Sequence, residues 1–327
     1  MGNYKLNNVS IESYGIIPIQ SGDTNLAITG AWDMPARIGK TFHDWGNDQD
    51  GIEPYVLASE IRFGGIDISL DCVVRGLSKN DALRKCYALF TAIDAYNGLV
   101  VLQCDWGTWN VLVNGEIKGE YLQDGITMLT IPFRCPIVPM PTALPINALQ
   151  YNPLTDQDGI IILVNNEPIY GGSIKYDGYG IDGVMFAALG LIITSITDRF
   201  SRPVPKSGQV TSYRNEGYRN TTTKEREITI NAAIVQPSYA DFVGVVDRLK
   251  ALFSKPGLRY LTREQDALRD FFVKDGFKIT GLRVNDGQVV AFIAIKLTEV
   301  SAHLDWNILT TPSGNIIETE IGNIIIT

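Results

Sequence analysis

The sequence predicts a mainly β protein with one helix per domain, built from two tandem domains that are each a β-barrel or sandwich. Three observations lead to this fold class. A strand–turn–helix pattern occurs twice along the 327 residues, its strands alternate apolar and polar residues, and a proline-rich stretch separates the two copies. A repeat of this length sets the domain organisation before any single motif is considered.

The repeated segment begins with an alternating strand. It reads IDISLDCVVRG in the first copy and REITINAAIVQ in the second, and the two align at an offset of 160 residues. A period of two is typical of a strand with one buried face. We therefore expect burial at the inward positions Ile68, Leu70, Cys72, Val74, Ile228, Ile230, Ala232 and Ile234.

A capped helix follows each strand. Ser78 and Ser238 are each followed three residues later by an aspartate, and this spacing is a capping box that marks a helix N-terminus. We predict helices over about residues 78–95 and 238–253. One apolar stripe should hold each helix on its sheet. The stripes comprise Leu83, Cys86, Tyr87, Phe90 and Ile93 in the first copy and Phe242, Val245, Val246, Leu249 and Phe253 in the second.

The match extends to both sides of the strand–helix unit. Upstream, Leu6–Ile16 matches Ile181–Leu191 at an offset of 175, because the first copy has a longer loop between Trp32 and Glu60. Downstream, a closing strand repeats, and glycines recur at positions where turns are expected. These glycines are Gly119 and Gly125 in the first copy and Gly281 and Gly287 in the second.

The repeat sets the domain boundaries. The first domain is predicted over residues 1–139 and the second over residues 173–300. Residues 140–172 form a linker or arm, since proline at this density breaks helices and central strands. Residues 301–327 form a C-terminal arm whose apolar residues, Ile316-Ile317 and Ile324–Ile326, require a strand to pair with.

Composition and charge exclude several classes of protein. Hydrophobic and charged fractions of 45% and 20% are those of a globular protein, and no apolar run is long enough for a membrane span. The N-terminus lacks the layout of a signal peptide, so we expect folding in a cytoplasm. A net charge of −8 argues against tight duplex-DNA binding, and the basic stretch Arg199–Arg226 is interpreted as a solvated loop. The four cysteines match no metal or redox spacing and are expected to be buried free thiols.

No catalytic, cofactor-binding or metal-binding residue is assigned. Neither His43 nor His303 has a partner at a metal-ligand spacing. Gly39-Lys40-Thr41 resembles the end of a phosphate-binding loop, but Met34 stands where the loop needs its first glycine. The segments 48–51 and 156–159, both DQDG, lack the first and last ligands of a calcium loop and are interpreted as turns.

Aromatic residues are concentrated on loops of the first domain. They are Trp32, Phe42, Trp45, Tyr55, Trp106 and Trp109. Such side chains fill the domain's own core, bury in an interface between subunits, or stack on sugars, and the sequence leaves these three interpretations open. Asp33, Asp44 and Glu53 share the same loop, but pairing two of them as a glycosidase acid and base requires geometry that a sequence does not give.

The order of elements within each copy resembles the tail-tube fold of tube, distal tail and baseplate-hub proteins of tailed bacteriophages. Leu6–Ile16 with Leu77–Phe133, and Ile181–Leu191 with Pro237–Ile295, carry the resemblance over roughly two thirds of the chain. The segment PVPKSG at residues 203–208 also resembles the proline–glycine loop of siphophage distal tail proteins. The chain departs from the commoner distal tail protein, which has one tube domain and a different second domain.

The resemblance implies a structural virion protein rather than an enzyme, without a cofactor. Six tube domains would surround a channel for DNA, so a chain with two copies would close the ring as a homotrimer with pseudo-sixfold symmetry. Its partners would be the tube, tape-measure, hub or receptor-binding proteins of a virion tail assembled in the host cytoplasm. The alternatives are a main tail tube protein with a duplicated domain and, from another class, a glycan-binding surface module.

Overall fold

The computed structural model describes residues 3–141 and 163–299, apart from gaps at 40, 47, 49, 55–60, 165–166, 169–178, 182–183, 198–202, 212–215, 256–258, 264–268 and 274–275. Most of the predicted linker and all of the predicted C-terminal arm beyond residue 300 therefore lie outside the described residues. The described part is mainly β, with one α-helix in each half of the chain.

The first half forms an antiparallel sheet with a helix on it. Its helix α1 spans Lys79–Asp94, and a short 3-10 helix spans Ile11–Tyr14. Its strands are β1 (Lys5–Leu6), β2 (Val9–Ser10), β3 (Ile16–Pro18), β4 (Ile28–Thr29), β5 (Arg37–Ile38), β6 (Phe42–His43), β7 (Glu53–Pro54), β8 (Arg62–Phe63), β9 (Ile66–Arg75), β10 (Val100–Cys104), β11 (Gly107–Val113), β12 (Lys118–Gln123) and β13 (Ile126–Cys135).

The second half is built from equivalent elements. Helix α2 spans Tyr239–Ser254, and a 3-10 helix spans Phe186–Leu189. The strands are β14 (Leu163–Val164), β15 (Glu167–Pro168), β16 (Tyr179–Ile181), β17 (Val184–Met185), β18 (Leu191–Ile196), β19 (Pro205–Thr211), β20 (Glu216–Thr223), β21 (Arg226–Gln236), β22 (Arg259–Arg263), β23 (Arg269–Phe272), β24 (Lys278–Asn285) and β25 (Gln288–Glu299).

The two main sheets have the same strand order. The first runs β2-β1-β10-β11-β13-β9-β3, with β12 also on β13 and β4 also on β9. The second runs β17-β16-β22-β23-β25-β21-β18, with β24 also on β25. Each strand of the second sheet therefore has a counterpart at the same place in the first. The predicted fold class, mainly β with one helix in each of two tandem β units, is confirmed.

The long central strands have the predicted inward faces. Strand β9 pairs with β13 from Ile66↔Cys135 to Arg75↔Ile126, and β21 pairs with β25 from Arg226↔Glu299 to Gln236↔Val289. All eight side chains expected to face inward are at most 1% exposed. A one-residue slip would move each set to the opposite face, so burial fixes the register.

Both predicted serine caps are confirmed, and the aspartate of the first one also reaches back to a backbone N–H. The Ser78 Oγ atom accepts a hydrogen bond from the Asp81 N–H at 3.3 Å, and the Ser238 Oγ atom accepts one from the Asp241 N–H at 3.2 Å. The Asp81 carboxylate reaches back to the Leu77 N–H at 3.0 Å. Hydrogen bonds from this N–H and from Arg84 and Lys85 lower the pKa of the Asp81 carboxyl to about 2.

The predicted stripe on α1 is partly wrong, because Leu83 and Tyr87 are 49% and 60% exposed. Helix α1 instead buries Ala82, Cys86 and Leu89, a face that begins one residue earlier. This face packs on the sheet, with the Ala82 backbone so close to Gly76 that a Cβ on Gly76 would lie 2.3 Å from the Ala82 nitrogen. Phe90 and Ile93 pack half-buried against the core. In α2, all five stripe residues are buried as predicted.

The basic stretch Arg199–Arg226 is also not a solvated loop. Its described residues form the hairpin β19–β20, in which Pro205 pairs with Thr223. The segment predicted to resemble a proline–glycine loop therefore enters a strand at Pro205, and Lys206 within it is buried. A strand partner and an ion pair, described below, satisfy groups that a loop would expose to water.

The cysteine prediction is confirmed, since Cys72, Cys86, Cys104 and Cys135 are free and buried. Burial raises the pKa of all four thiols, to about 12 for Cys72. Because the thiolate is the reactive form, burial leaves these side chains as small apolar core residues.

Candidate functional site: the contact between the two domains

An aromatic cluster joins the two halves of the chain. Trp32, which is 6% exposed, donates its indole Nε1–H to the Tyr239 hydroxyl at 2.8 Å. Tyr239 in turn donates to the Trp106 carbonyl oxygen. The Trp32 ring also meets the rings of Trp109 and Phe242 edge-on, at centroid distances of 6.0 and 6.4 Å. Each polar atom of the Trp32 and Tyr239 side chains thus has a partner inside an apolar contact.

Local structure places both partners of this hydrogen bond. Trp32 follows a turn at Gly30, whose φ is +77° and where a Cβ would lie 2.1 Å from the Asp67 carbonyl oxygen. Only glycine suits this turn, because a side chain has neither the space nor the backbone conformation. Tyr239 is the first residue of α2, directly after the cap Ser238. The cap therefore fixes the position of Tyr239 at the start of α2.

A segment of the first domain, residues 23–34, lies along the outer edge of β24. The Asn25 side chain accepts from the Val284 N–H at 2.9 Å and donates to the Val284 carbonyl oxygen at 2.7 Å. Further along, the Met34 N–H donates to the Phe277 carbonyl oxygen at 2.9 Å, and the Asp33 carboxylate accepts from the Ile279 N–H at 2.8 Å. We call residues 23–34 the covering segment, since it satisfies backbone groups that a free edge strand would expose.

A half-buried carboxylate and a buried ammonium group lie in this contact. Burial raises the pKa of the Asp33 carboxyl to about 6, although the Ile279 N–H, Lys278 and Lys250 oppose the rise. Burial lowers the pKa of the Lys250 ammonium, while Asp247 and Asp33 oppose that change. The negative charge of Asp33 and the positive charge of Lys250 therefore stabilise each other, while burial disfavours both charged forms.

Arg37 ties the first domain to the end of α2. Its Nη2 donates to the carbonyl oxygens of Phe253 and Lys255, at 3.1 and 2.6 Å. Carbonyls at a helix C-terminus have no partner within the helix and carry partial negative charge, so a guanidinium there both satisfies and neutralises them.

The long loop of the first domain makes a second contact, with the hairpin β19–β20. The buried Lys206 ammonium binds the Asp44 carboxylate at 2.6 Å and the Gly51 carbonyl oxygen at 2.7 Å. The Asp50 carboxylate accepts from the Thr223 hydroxyl at 2.9 Å and also from the Thr223 N–H. The hydrogen bond from Lys206 lowers the pKa of the Asp44 carboxyl. The DQDG segment at 48–51 is thus part of a domain contact.

The predicted aromatic residues separate into two groups. Trp32, Trp106 and Trp109 pack against the chain's own core, which favours the core interpretation for these three. Trp45 is 49% exposed, stacks edge-on against His43 at 4.1 Å, and donates to the Glu53 carboxylate at 2.7 Å. Tyr55, His303, Lys40 and the second DQDG segment lie outside the described residues.

The three carboxylates of the long loop have different partners. Asp33 accepts from Ile279 in the second domain, Asp44 binds Lys206, and Glu53 accepts from Trp45. This arrangement does not resemble a paired acid and base. Within the described ranges, no group of three or more histidine, cysteine, aspartate or glutamate side chains could hold a metal ion. Neither α1 nor α2 has the length and apolar content that a transmembrane helix requires, and this holds for the described residues only.

Sequence reasoning did not anticipate the partners of the covering segment. Asn25 and Val284 are 259 residues apart, and no local pattern connects them. Lys250 did carry a signal, because a lysine stands on the apolar side of α2 at the position that Phe90 occupies in α1. A buried lysine of this kind indicates a carboxylate partner from elsewhere in the fold.

No protein-family model matches the chain, and no curated protein matches it. Among solved structures, the chain is similar to the crystal structure of the Dit protein of SPP1, with a TM-score of 0.32 and 8% sequence identity. The similarity covers 91% of this chain and 98% of that one. The SPP1 protein is described as a paradigm of the hub adsorption apparatus in phages that infect Gram-positive bacteria.

Proposed function

We propose that this chain is a structural protein of a phage tail, of the distal tail or hub type, that assembles into a ring. The observation that carries the proposal is the contact between the two domains. Two units with the same strand order are joined head to tail, and one unit covers a strand edge of the other. A contact of this type between non-identical surfaces is the kind that builds rings.

The proposed ring is a homotrimer with pseudo-sixfold symmetry around a channel for DNA. Three chains supply six domains, with residues 1–139 and 173–300 alternating, and the arms at 140–172 and 301–327 reach neighbouring chains or rings. The net charge of −8 suits a channel wall that repels a passing polyanion instead of binding it. The neighbouring proteins would be tube, tape-measure, hub or receptor-binding proteins, and the ring would be assembled in the host cytoplasm and reside in the virion tail.

The chemistry of the described residues supports a structural role. In the domain contact, Trp32 donates to Tyr239, Asp33 accepts from a backbone N–H and Asp44 pairs with Lys206. The four thiols are buried. Groups satisfied within the fold hold domains in place and are not presented to a substrate.

Two other functions are distinguishable by specific features. A main tail tube protein with a duplicated domain would stack its rings into long tubes, whereas a distal ring would remain single. Among the described residues, Trp45 favours a glycan-binding module. Its half-exposed ring lies beside Glu53, and an aromatic face next to a hydrogen-bonding side chain suits a sugar.

Mass photometry combined with negative-stain electron microscopy tests the proposal. We expect particles with the mass of three chains that appear as single rings with a central opening. Stacked tubes would instead indicate a main tail tube protein. Monomers at every concentration, together with binding to a glycan array that Trp45→Ala removes, would replace the proposal with the glycan-binding function.

A further inference from the structure

The outer faces of the two helices occupy equivalent positions in the repeat but have different surroundings. In α2 this face comprises Tyr239, Val243, Asp247 and Lys250, which line a partly open cavity of about 250 Å³. Trp32 and Trp106 of the first domain line its other side. The equivalent positions of α1, at the offset of 160, are Lys79, Leu83, Tyr87 and Phe90. Leu83 and Tyr87 are among the most exposed apolar side chains of the described chain. The first domain packs against this face of α2, where Lys250 is buried, Tyr239 and Val243 are half-buried and Asp247 is exposed. On α1 the equivalent Leu83 and Tyr87 are both exposed.

The edge strands show the same contrast. The covering segment hydrogen-bonds to the outer edge of β24, as described above. The equivalent strand of the first domain, β12, pairs with β13, and all six of its residues are exposed. They include Tyr121 and Leu122, at 41% and 49% exposure. An exposed edge strand with apolar side chains is a template for pairing with another chain.

The open helix face and the open strand edge form one surface. The Lys79 ammonium lies over the Tyr121 ring, 5.1 Å from its centroid, and the Tyr121 hydroxyl accepts a hydrogen bond from the Gly125 N–H beside the start of α1. Along α1, Leu83 and Tyr87 continue this surface at spacings of four residues, which places them on one side of the helix. We call Lys79, Leu83, Tyr87, Tyr121 and Leu122 the open face.

We infer that the second domain of another copy of this chain covers the open face. The chain holds the same fold twice, and its own first domain packs against the equivalent face of its second domain. If the same relationship is repeated between chains, the unit that covers the first domain is the second domain of a neighbouring chain. This inference rests on the proposed ring and specifies which surfaces close it, since a head-to-tail contact repeated by rotation joins every copy to the next.

Charge variants on α1 test the open face. Leu83→Asp and Tyr87→Asp place a carboxylate in the proposed contact, and we expect each to raise the dissociation constant of the oligomer at least about tenfold, since burying an unpaired charge is unfavourable. Ala88→Asp is the matched control, because Ala88 is exposed on the other flank of the same helix. It should assemble as the unmodified chain does. Circular dichroism melts show whether each variant is folded, and mass photometry over a dilution series measures assembly.

A photo-crosslinker identifies the occupant directly. A benzoylphenylalanine residue in place of Tyr87 should form crosslinks between chains to peptides within residues 163–299. Crosslinks between chains to residues 3–141, or crosslinks within one chain to residues 300–327, would overturn the inference while leaving the ring in place. Unchanged assembly of both charge variants would do the same. A chain that stays monomeric at all concentrations would overturn the ring and this inference together.

Discussion

Trp32 in the first domain and Tyr239 in the second are joined by a 2.8 Å hydrogen bond from the indole Nε1–H to the phenolic oxygen. The same tyrosine donates to the Trp106 carbonyl oxygen, so one hydroxyl serves two elements of the first domain. Burial raises the pKa of this hydroxyl to about 12, and it therefore remains protonated and able to donate throughout the physiological range.

Removing that hydroxyl should weaken the contact between the domains. Tyr239→Phe leaves the Trp32 N–H and the Trp106 carbonyl without their partner in an apolar place, which should lower the free energy of unfolding by about 1–3 kcal/mol. Tyr87→Phe on α1 is the control when the chain is diluted to monomers, because Tyr87 is then 60% exposed, and it should change stability by less than about 0.5 kcal/mol. Urea denaturation curves measure both. Equal effects of the two substitutions would contradict the role assigned to the Tyr239 hydroxyl.

Gly276 lies directly against the backbone of the first domain. A Cβ at this position would lie 2.1 Å from the Met34 carbonyl oxygen, so Gly276→Ala should force the covering segment away from the second domain. We expect a loss of about 1–3 kcal/mol of stability and faster amide hydrogen exchange at residues 277–284.

Gly244→Ala is the matched control for that substitution. Nothing lies within 4 Å of a Cβ at Gly244, and its place inside α2 means that alanine should stabilise the chain by about 0.5–1 kcal/mol. The two alanines should therefore act in opposite directions. Stabilisation by both would show that the close approach at Met34 relaxes without cost.

Asp33 should make the domain contact sensitive to pH. Its pKa of about 6 in the folded chain lies above the ordinary value of 3.8. The sign follows from linkage: this group's stabilising effect is fully present below the ordinary value and is lost as the pH rises through about 6. Asp33→Asn, which keeps an oxygen to accept from Ile279, should be more stable than the natural chain at about pH 8, by up to about 3 kcal/mol.

The advantage of Asp33→Asn should shrink as the pH falls through about 6 and vanish near about pH 4. Thermal melts across this range measure it, with the exposed Asp94 changed to Asn as the control. An advantage for Asp33→Asn that does not vary with pH would show that the carboxyl is not protonated in the folded chain.

The corrected face of α1 has a clear mutational consequence. Leu89→Ala removes a fully buried side chain and should destabilise the chain by about 2–5 kcal/mol. Leu83→Ala removes a side chain that is 49% exposed and should cost less than about 1 kcal/mol when the chain is diluted to monomers. A larger effect for Leu83 than for Leu89 would support the buried stripe that the sequence predicted for α1.

Local patterns in the sequence predicted the elements that local physics determines. The alternation around Ile68 and Ile228 fixed the inward faces of two strands, and Ser78 and Ser238 located both helix starts. The rotation of α1 was not predicted correctly, because Ala82 and Leu83 are both apolar and periodicity alone does not choose between faces 100° apart. In the folded chain Ala82 is fully buried beside Gly76, whereas Leu83 is 49% exposed.

Most of the candidate site could not be predicted from the sequence. Asn25 meets Val284 across 259 residues and Lys206 meets Asp44 across 162, and a single sequence has no periodic signal for such pairs. The loop aromatics were recognised as a group, but whether Trp32 faces a core or a partner depended on where the second domain sits. The repeat itself was visible because it requires only the comparison of two segments of the same chain.

Single-particle cryo-electron microscopy of the purified assembly tests the central claim most directly. The account predicts a closed ring of three chains in which the first and second domains alternate around a central channel, with β12 and α1 of each chain against the second domain of the next. A closed particle without a channel, or a ring in which like domains contact each other instead of alternating, would contradict it.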